Sequence, residues 1–145
     1  MLEWKRLTSP LKLVDTNVFI YGAGRPHQYK ESCAKLSAEL IRGEHDANID
    51  TELLQEVLFL FWRRERIDEG LRMLDRIVTG FPDPFAVTLI DVRAAREILS
   101  RHRKVSPRNA IHAAVVLTHG LEGIISTDRG FNGIPGVTRF DPMEF

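Results

Sequence analysis

LKLVDTNVFIYG, residues 11–22, runs along an apolar segment and stops at a carboxylate. Leu11 to Val14 is apolar apart from Lys12, the pattern of a short strand covered by neighbouring layers. The next residue is Asp15, and two roles suit it. A side-chain oxygen there can accept from the free N–H groups of a helix opening near Val18, since Asp is a favoured cap. Alternatively, Asp15 stands at the carboxyl end of a parallel strand, where open α/β sheets place their sites. Whether other segments send carboxylates to the same edge separates the two.

Outward from this stretch, strand-like and helix-like segments alternate. NVFIYGAG reads as a short helix ending at Gly22 and Gly24, and His27 to Arg42 carries helical spacing up to the stop at Gly43. DANID is a brief strand. TELLQEVLFLFWRRER is an amphipathic helix with Thr51 as its cap, and DEGLRMLDRIV continues as a second helix up to GFPDP. AVTLI, residues 86–90, predicts a third strand, after which Asp91 opens a helix. SPRNAIHAAVVLTHG is a helix with Ser106 as cap, Pro107 at its first position and Gly120 as stop. EGIIST predicts a fourth strand and GVTRF a fifth. The expectation is a three-layer α/β/α domain around a mostly parallel sheet of about five strands.

The chain has 145 residues, with 20 basic and 20 acidic side chains, 43% apolar content and a single cysteine, Cys33. That length suits one domain over 1–145. The balanced charge leaves any attraction for nucleic acid to local clustering. One cysteine excludes an intrachain disulfide and agrees with a reducing cytoplasm. MLEWKRLTSPLKLVD offers no long apolar stretch for a signal or a membrane span.

Asp128 repeats the Asp15 pattern: GIISTD is a second apolar strand ending in polar residues and an aspartate. In a parallel sheet both ends lie on one edge, and two anions brought close repel unless a cation sits between them. Read alone, Asp128 is a turn residue before RGFNG. Glu56 falls at the border of the apolar helix face made by Leu53, Leu54, Val57, Leu58 and Phe61, one turn after Glu52. Such a residue is ordinarily solvated, but it reaches the sheet edge if this helix packs there. Asn109, third in its helix after the Ser106 cap, projects where free N–H groups favour a phosphate. The same position is where a capping box reaches back. His112, one turn on, reads as a packed residue rather than a base.

LVDTNVFIYG, TELLQEVLFLFWR and SPRNAIHAAVVLTHGLEGIISTDRGFNGIPGVTRFDP, in this order, resemble the PIN-domain family, and within it the VapC-type toxins of bacterial and archaeal toxin–antitoxin pairs. The resemblance runs from about Leu11 to Pro142. It implies a Mg²⁺- or Mn²⁺-dependent ribonuclease with an acidic pocket at Asp15, Glu56, Asn109 and Asp128. It also implies an RNA substrate, an antitoxin protein, a homodimer and no membrane. Asn109 stands where the family carries Asp. On this reading Asp15 is a metal ligand, Asp15 and Asp128 are inner ligands, and Glu56 holds a second ion or orients water. Thr16, Asn17 and Thr127 are neighbours that fix the geometry. An amide at 109 brings no charge and takes no proton, so the implied activity is weakened. The competing reading is a catalytically inactive PIN domain that binds RNA or protein.

Positive charge concentrates before the Asn109 helix. Between Arg93 and Arg108 there are six Lys or Arg, and the only nearby acids are Asp91 and Glu97. Arg101, Arg103, Lys104 and Arg108 are the expected RNA-backbone contacts. LFLFW and the early Trp4 are apolar enough to supply a dimer face, although core packing is the plainer explanation of the same residues. A receiver-like phosphoacceptor also gathers acids at strand ends. It needs a paired acid after the first strand and a late Lys, and DTN and the Lys-free stretch after Lys104 speak against it.

Overall fold

The computed structural model describes residues 9–145. β1 (Ser9–Val14) passes through Asp15 into α1 (Thr16–Ala23), then α2 (Lys30–Ile41) and a two-residue β2 (Ala47–Asn48). α3 (Thr51–Arg63), α4 (Ile67–Gly80), α5 (Leu89–Arg101) and α6 (Pro107–Thr118) follow. β3 (Leu121–Ile125) and β4 (Arg139–Phe140) complete the sheet, each followed by a 3₁₀ turn. The strand order is β2-β1-β3-β4 and every pairing is parallel.

Alternation along the strands produces the layers. Leu13 and Ile124 point into a core closed by Ala95 and Ile98 of α5 and by Ala110, Ala113 and Ala114 of α6. Val14 and Ile125, one residue on, point to the other face, against Val18, Leu36, Leu53, Val57 and Ile77 of α1 to α4. Period-two side chains on strands buried from both sides give three layers, α/β/α. The fully buried alanines of α6 let that helix lie close on the sheet.

Register decides where the strands end. Val14 lies opposite Ile125, and Ile125 opposite Phe140. The Asp15 N–H donates to the Ile125 carbonyl at 2.9 Å, so Asp15 and the residues after Ile125 emerge on one edge.

Three details differ from the sequence expectation. AVTLI is not a strand: Leu89 and Ile90 are the first turn of α5, 62% and 70% exposed. Asp91 does not open that helix but occupies its third position, where its carboxylate accepts from the Thr88 N–H at 2.9 Å in a capping box. This local capping outweighs the β preference of the segment. Only Phe85 bridges to Asp50, so the sheet has four strands among the described residues rather than five. Finally, Asp50, not Thr51, caps α3 by accepting from Leu53 N–H at 3.0 Å. The Thr51 hydroxyl instead accepts from Val87 N–H. Trp4 lies outside the described residues. Among them, no helix is long and apolar enough to cross a membrane.

Candidate functional site

Asp15 caps α1 and stands at the carboxyl end of β1. One carboxylate oxygen caps α1, accepting from Thr16 N–H at 2.7 Å; the other accepts from the Ser126 hydroxyl at 2.7 Å and from Asn17 Nδ2 at 3.1 Å. The residue is buried, and burial pushes its carboxyl above the usual range, offset only in part by His112 and Ser126. Ser126, the first residue after β3, also accepts from Asp128 N–H at 2.9 Å.

α3 delivers Glu56 to the same edge. It is buried rather than solvated, because α3 packs over the strand ends. Its Oε1 meets His112 Nε2 at 2.8 Å and its Oε2 lies 3.8 Å from Arg108 Nη1. Burial alone raises such a carboxyl, but His112, Thr16 and Arg108 outweigh it and hold Glu56 below its ordinary value. Glu52, one turn earlier, is raised by partial burial and by the Glu56 charge.

His112 is fully buried on α6, with Nδ1 2.6 Å from Asp50 and Nε2 3.6 Å from Asp15 beyond its bond to Glu56. Burial disfavours its charge, yet Asp50, Glu56 and Asp15 prevail and raise it well above 6.5. The ring is therefore an imidazolium, donating from both nitrogens. Ligand atoms of Asp15, Glu56 and His112 fall within 4.8 Å of one another. The Thr16 hydroxyl beside them is buried and makes no hydrogen bond of good geometry among the described residues.

Asn109 and Asp128 form a separate pair. Asn109 Nδ2 donates to Asp128 Oδ2 at 2.7 Å, while its backbone N–H donates to the Ser106 cap at 3.2 Å. Asp128 Oδ1 accepts from Gly130 N–H, so Asp128 caps its turn as well. Asp15, Glu56, Asn109 and Asp128 line one cleft of about 280 Å³, together with Thr16, Asn17, Arg64 and Arg108. Thr127 joins through its N–H, which donates to Asn17 Oδ1 at 3.3 Å.

The basic residues divide. Arg108 lines the cleft, whereas Arg101, Arg103 and Lys104 are exposed at the end of α5 and in the connection to α6, away from its lining. Sequence reasoning missed Asp50, Ser126 and Arg64. The signal for Asp50 was present: the strand-like segment DANID also ends on an aspartate. Arg64 is the α3 C-cap, and nothing local marks it.

A four-stranded parallel sheet with six flanking helices and carboxylates gathered at one edge defines the PIN class of fold and site. The PIN domain model matches residues 12–137. Ribonuclease VapC13 of Mycobacterium tuberculosis is 31% identical over 127 residues, covering 88% of this chain and 97% of the relative. Among solved structures, VapBC2 from Rickettsia felis bound to a promoter DNA fragment superposes with a TM-score of 0.70 at 11% identity, over 90% of this chain and 98% of that one. A toxin–antitoxin complex from Klebsiella pneumoniae gives 0.59 at 18% identity, over 88% and 95%. This chain belongs to the PIN-domain family and, within it, to the VapC ribonucleases of toxin–antitoxin systems.

Proposed function

We propose that this chain, acting as one PIN-like domain over residues 1–145, is a divalent-metal-dependent endoribonuclease and the toxin of a cytoplasmic toxin–antitoxin pair. The observation that carries the reading is the meeting of two buried carboxylates, Asp15 and Glu56, in a cleft shared with Asp128. Two carboxylates in direct proximity, with a buried hydroxyl left without a well-formed partner, make an oxygen-rich donor set that suits a hard cation. Mg²⁺ or Mn²⁺ would be held by Asp15, Glu56 and Asp128. Such an ion, when bound, lowers the pKa of a water and neutralises charge on a scissile phosphate.

The chain's own residues do the rest. His112 donates to Glu56 and fixes which oxygen faces the cleft, with Asp50 holding the ring from behind. Ser126 and Asn17 hold the Asp15 carboxylate. Arg108 is placed to contact phosphate at the cleft, and Arg101, Arg103 and Lys104 to draw the RNA backbone from further out. Asn109 gives the Asp128 carboxylate a hydrogen bond instead of a second charge, which weakens the site toward metal. That same bond favours a second reading, a PIN domain that binds RNA or protein without cutting.

An antitoxin protein is the proposed partner, in keeping with the solved complexes this fold resembles. Phe59 and Trp62 of LFLFW are exposed and pack against each other, 6.1 Å between ring centres, while Phe61 is buried. The exposed pair supports a homodimer face on α3, which light scattering at micromolar concentration tests.

Metal linkage tests the central claim. Millimolar Mg²⁺ or Mn²⁺ should raise the melting temperature, by about 2.7 kcal/mol of stability at a hundredfold excess over Kd. RNA cleavage should stop in chelator. Asp15→Asn keeps a good helix cap and should abolish both effects. A melting temperature indifferent to metal overturns the assignment.

A further inference from the structure

We propose that the cleft adjoining the acidic site is a base-stacking subsite for single-stranded RNA, built on Tyr21 and His27 and flanked by Arg25 and Arg64. The inference rests on the ribonuclease reading and identifies where the strand lies beyond the cutting point. This second cleft is the larger, about 800 Å³, and Ile20, Tyr21 and Arg64 line both it and the acidic cleft. One strand can therefore pass from one to the other without leaving the surface.

Its wall carries aromatic rings already in stacking geometry. The Tyr21 and His27 rings lie 4.6 Å apart and 5° from parallel, with Tyr29 behind them at 6.3 Å and 6.0 Å. The rings are fixed in place: His27 Nδ1 accepts from the Tyr29 N–H at 3.2 Å, and the Tyr29 hydroxyl donates to Asp141 at 2.9 Å. His27 is the exposed member of the Tyr21–His27 pair, so a nucleobase laid on its ring adds a third layer to that pair. Every base has a π-face, so such a platform tolerates sequence. A duplex has no free base faces to offer, which is why unpaired RNA is the fitting ligand.

Charge on the rim supports the same occupant. Arg25 and Arg64 are exposed and make no ion pair among the described residues. Arg66, on the same rim, is instead engaged by Glu69 through a forked pair at 2.6 Å and 2.8 Å. Free guanidinium groups beside stacked rings match the alternation of phosphate and base along a single strand.

The test is binding of a short fluorescein-labelled single-stranded oligoribonucleotide in Mg²⁺, with probe integrity checked on a denaturing gel. A second series carries 2-aminopurine, whose fluorescence drops on stacking, at successive positions. His27→Ala should weaken binding about tenfold and abolish the position-specific quenching. His27→Tyr should retain both, and Arg25→Ala should lower the salt slope by about one. If His27→Ala and Tyr21→Leu bind and quench like the parent while metal-dependent cleavage persists, the subsite is overturned alone. If binding is lost in those variants but the parent shows no metal-dependent cleavage, the nuclease reading falls and the subsite stands. A parent that binds no RNA overturns both.

Discussion

Asn109→Asp converts the amide that faces Asp128 in the acidic cleft into a carboxylate. Asn109 Nδ2 now donates to Asp128 at 2.7 Å. The substitution removes that charge-assisted bond and sets two anions in its place, about 4 Å apart once the side chains relax. At that separation the repulsion is ~1 kcal/mol in bulk water and ~4 kcal/mol at an effective dielectric of 20. Asp128 is exposed, so the lower half of that range applies. Position 109 is also third in α6, where the helix dipole returns ~0.3–1 kcal/mol to a carboxylate. The net cost in chelator is about 1–2 kcal/mol, a melting-temperature drop of roughly 3–8 °C for a chain of this size. Divalent metal reverses the sign, because the same repulsion is relieved by the ion. Affinity for Mn²⁺ should rise at least about tenfold, the equivalent of 1.4 kcal/mol. Differential scanning fluorimetry in chelator and in a Mn²⁺ series reads both halves, and cleavage of a labelled RNA should increase with occupancy. Equal melting temperatures in chelator, together with unchanged metal affinity, would show that 109 does not face Asp128 in solution and refute the reasoning.

Removing His112 should be severe. His112→Gln leaves Asp50 and Glu56 buried without their cation, a loss of ~3–5 kcal/mol by urea denaturation; a change under about 1 kcal/mol would contradict the imidazolium assignment. The pH dependence follows from the same group. His112 sits well above its ordinary 6.5, so its stabilisation is complete below that pH and drains away as pH climbs from 6.5 through the raised value. Glu56, held below 4.5, contributes above that pH and loses its contribution as acid protonates it, whereas the raised Asp15 costs stability as pH rises past 3.8. Melting curves in chelator should therefore decline on the alkaline side, and His112→Gln should flatten that decline.

Much of this was legible because it is local. The Val14–Asp15 and Ile125–Ser126 boundaries show in the sequence as apolar runs that stop at polar residues, and parallel pairing then places both on one edge. The Ser106 cap and Pro107 fixed the start of α6 to the residue. What escaped was long-range or competitive. Asp50 and His112 are 62 residues apart, and nothing local to either says they meet. A buried histidine between carboxylates is invisible until the helices are packed, which is why His112 reads from sequence as a packed residue rather than a base. AVTLI failed for a different reason: Thr88 and Asp91 form a capping box inside a segment whose β-branched residues favour strand. Arg101, Arg103 and Lys104 show in the sequence only as density along the chain; of the four basic residues singled out, Arg108, one residue inside α6, is the one that lines the cleft.

Charge bookkeeping across the cleft makes a final prediction about how many ions it takes. Asp15, Asp50, Glu56 and Asp128 are carboxylates, and His112, Arg108 and Arg64 are the cations in contact with them or lining the same cleft. Four anions against three cations leave one negative charge, which a single divalent ion more than offsets. A second ion would enter a site already positive, and the Asn109 amide supplies no charge to hold it. With Asn109→Asp a further negative charge appears beside Asp128, and the balance moves toward a second cation. Isothermal titration with Mn²⁺ should accordingly give one site per chain, with a second site emerging only in Asn109→Asp. Two sites of equal affinity in the present chain would refute this charge count, because a second ion would then need a proton released from the cluster.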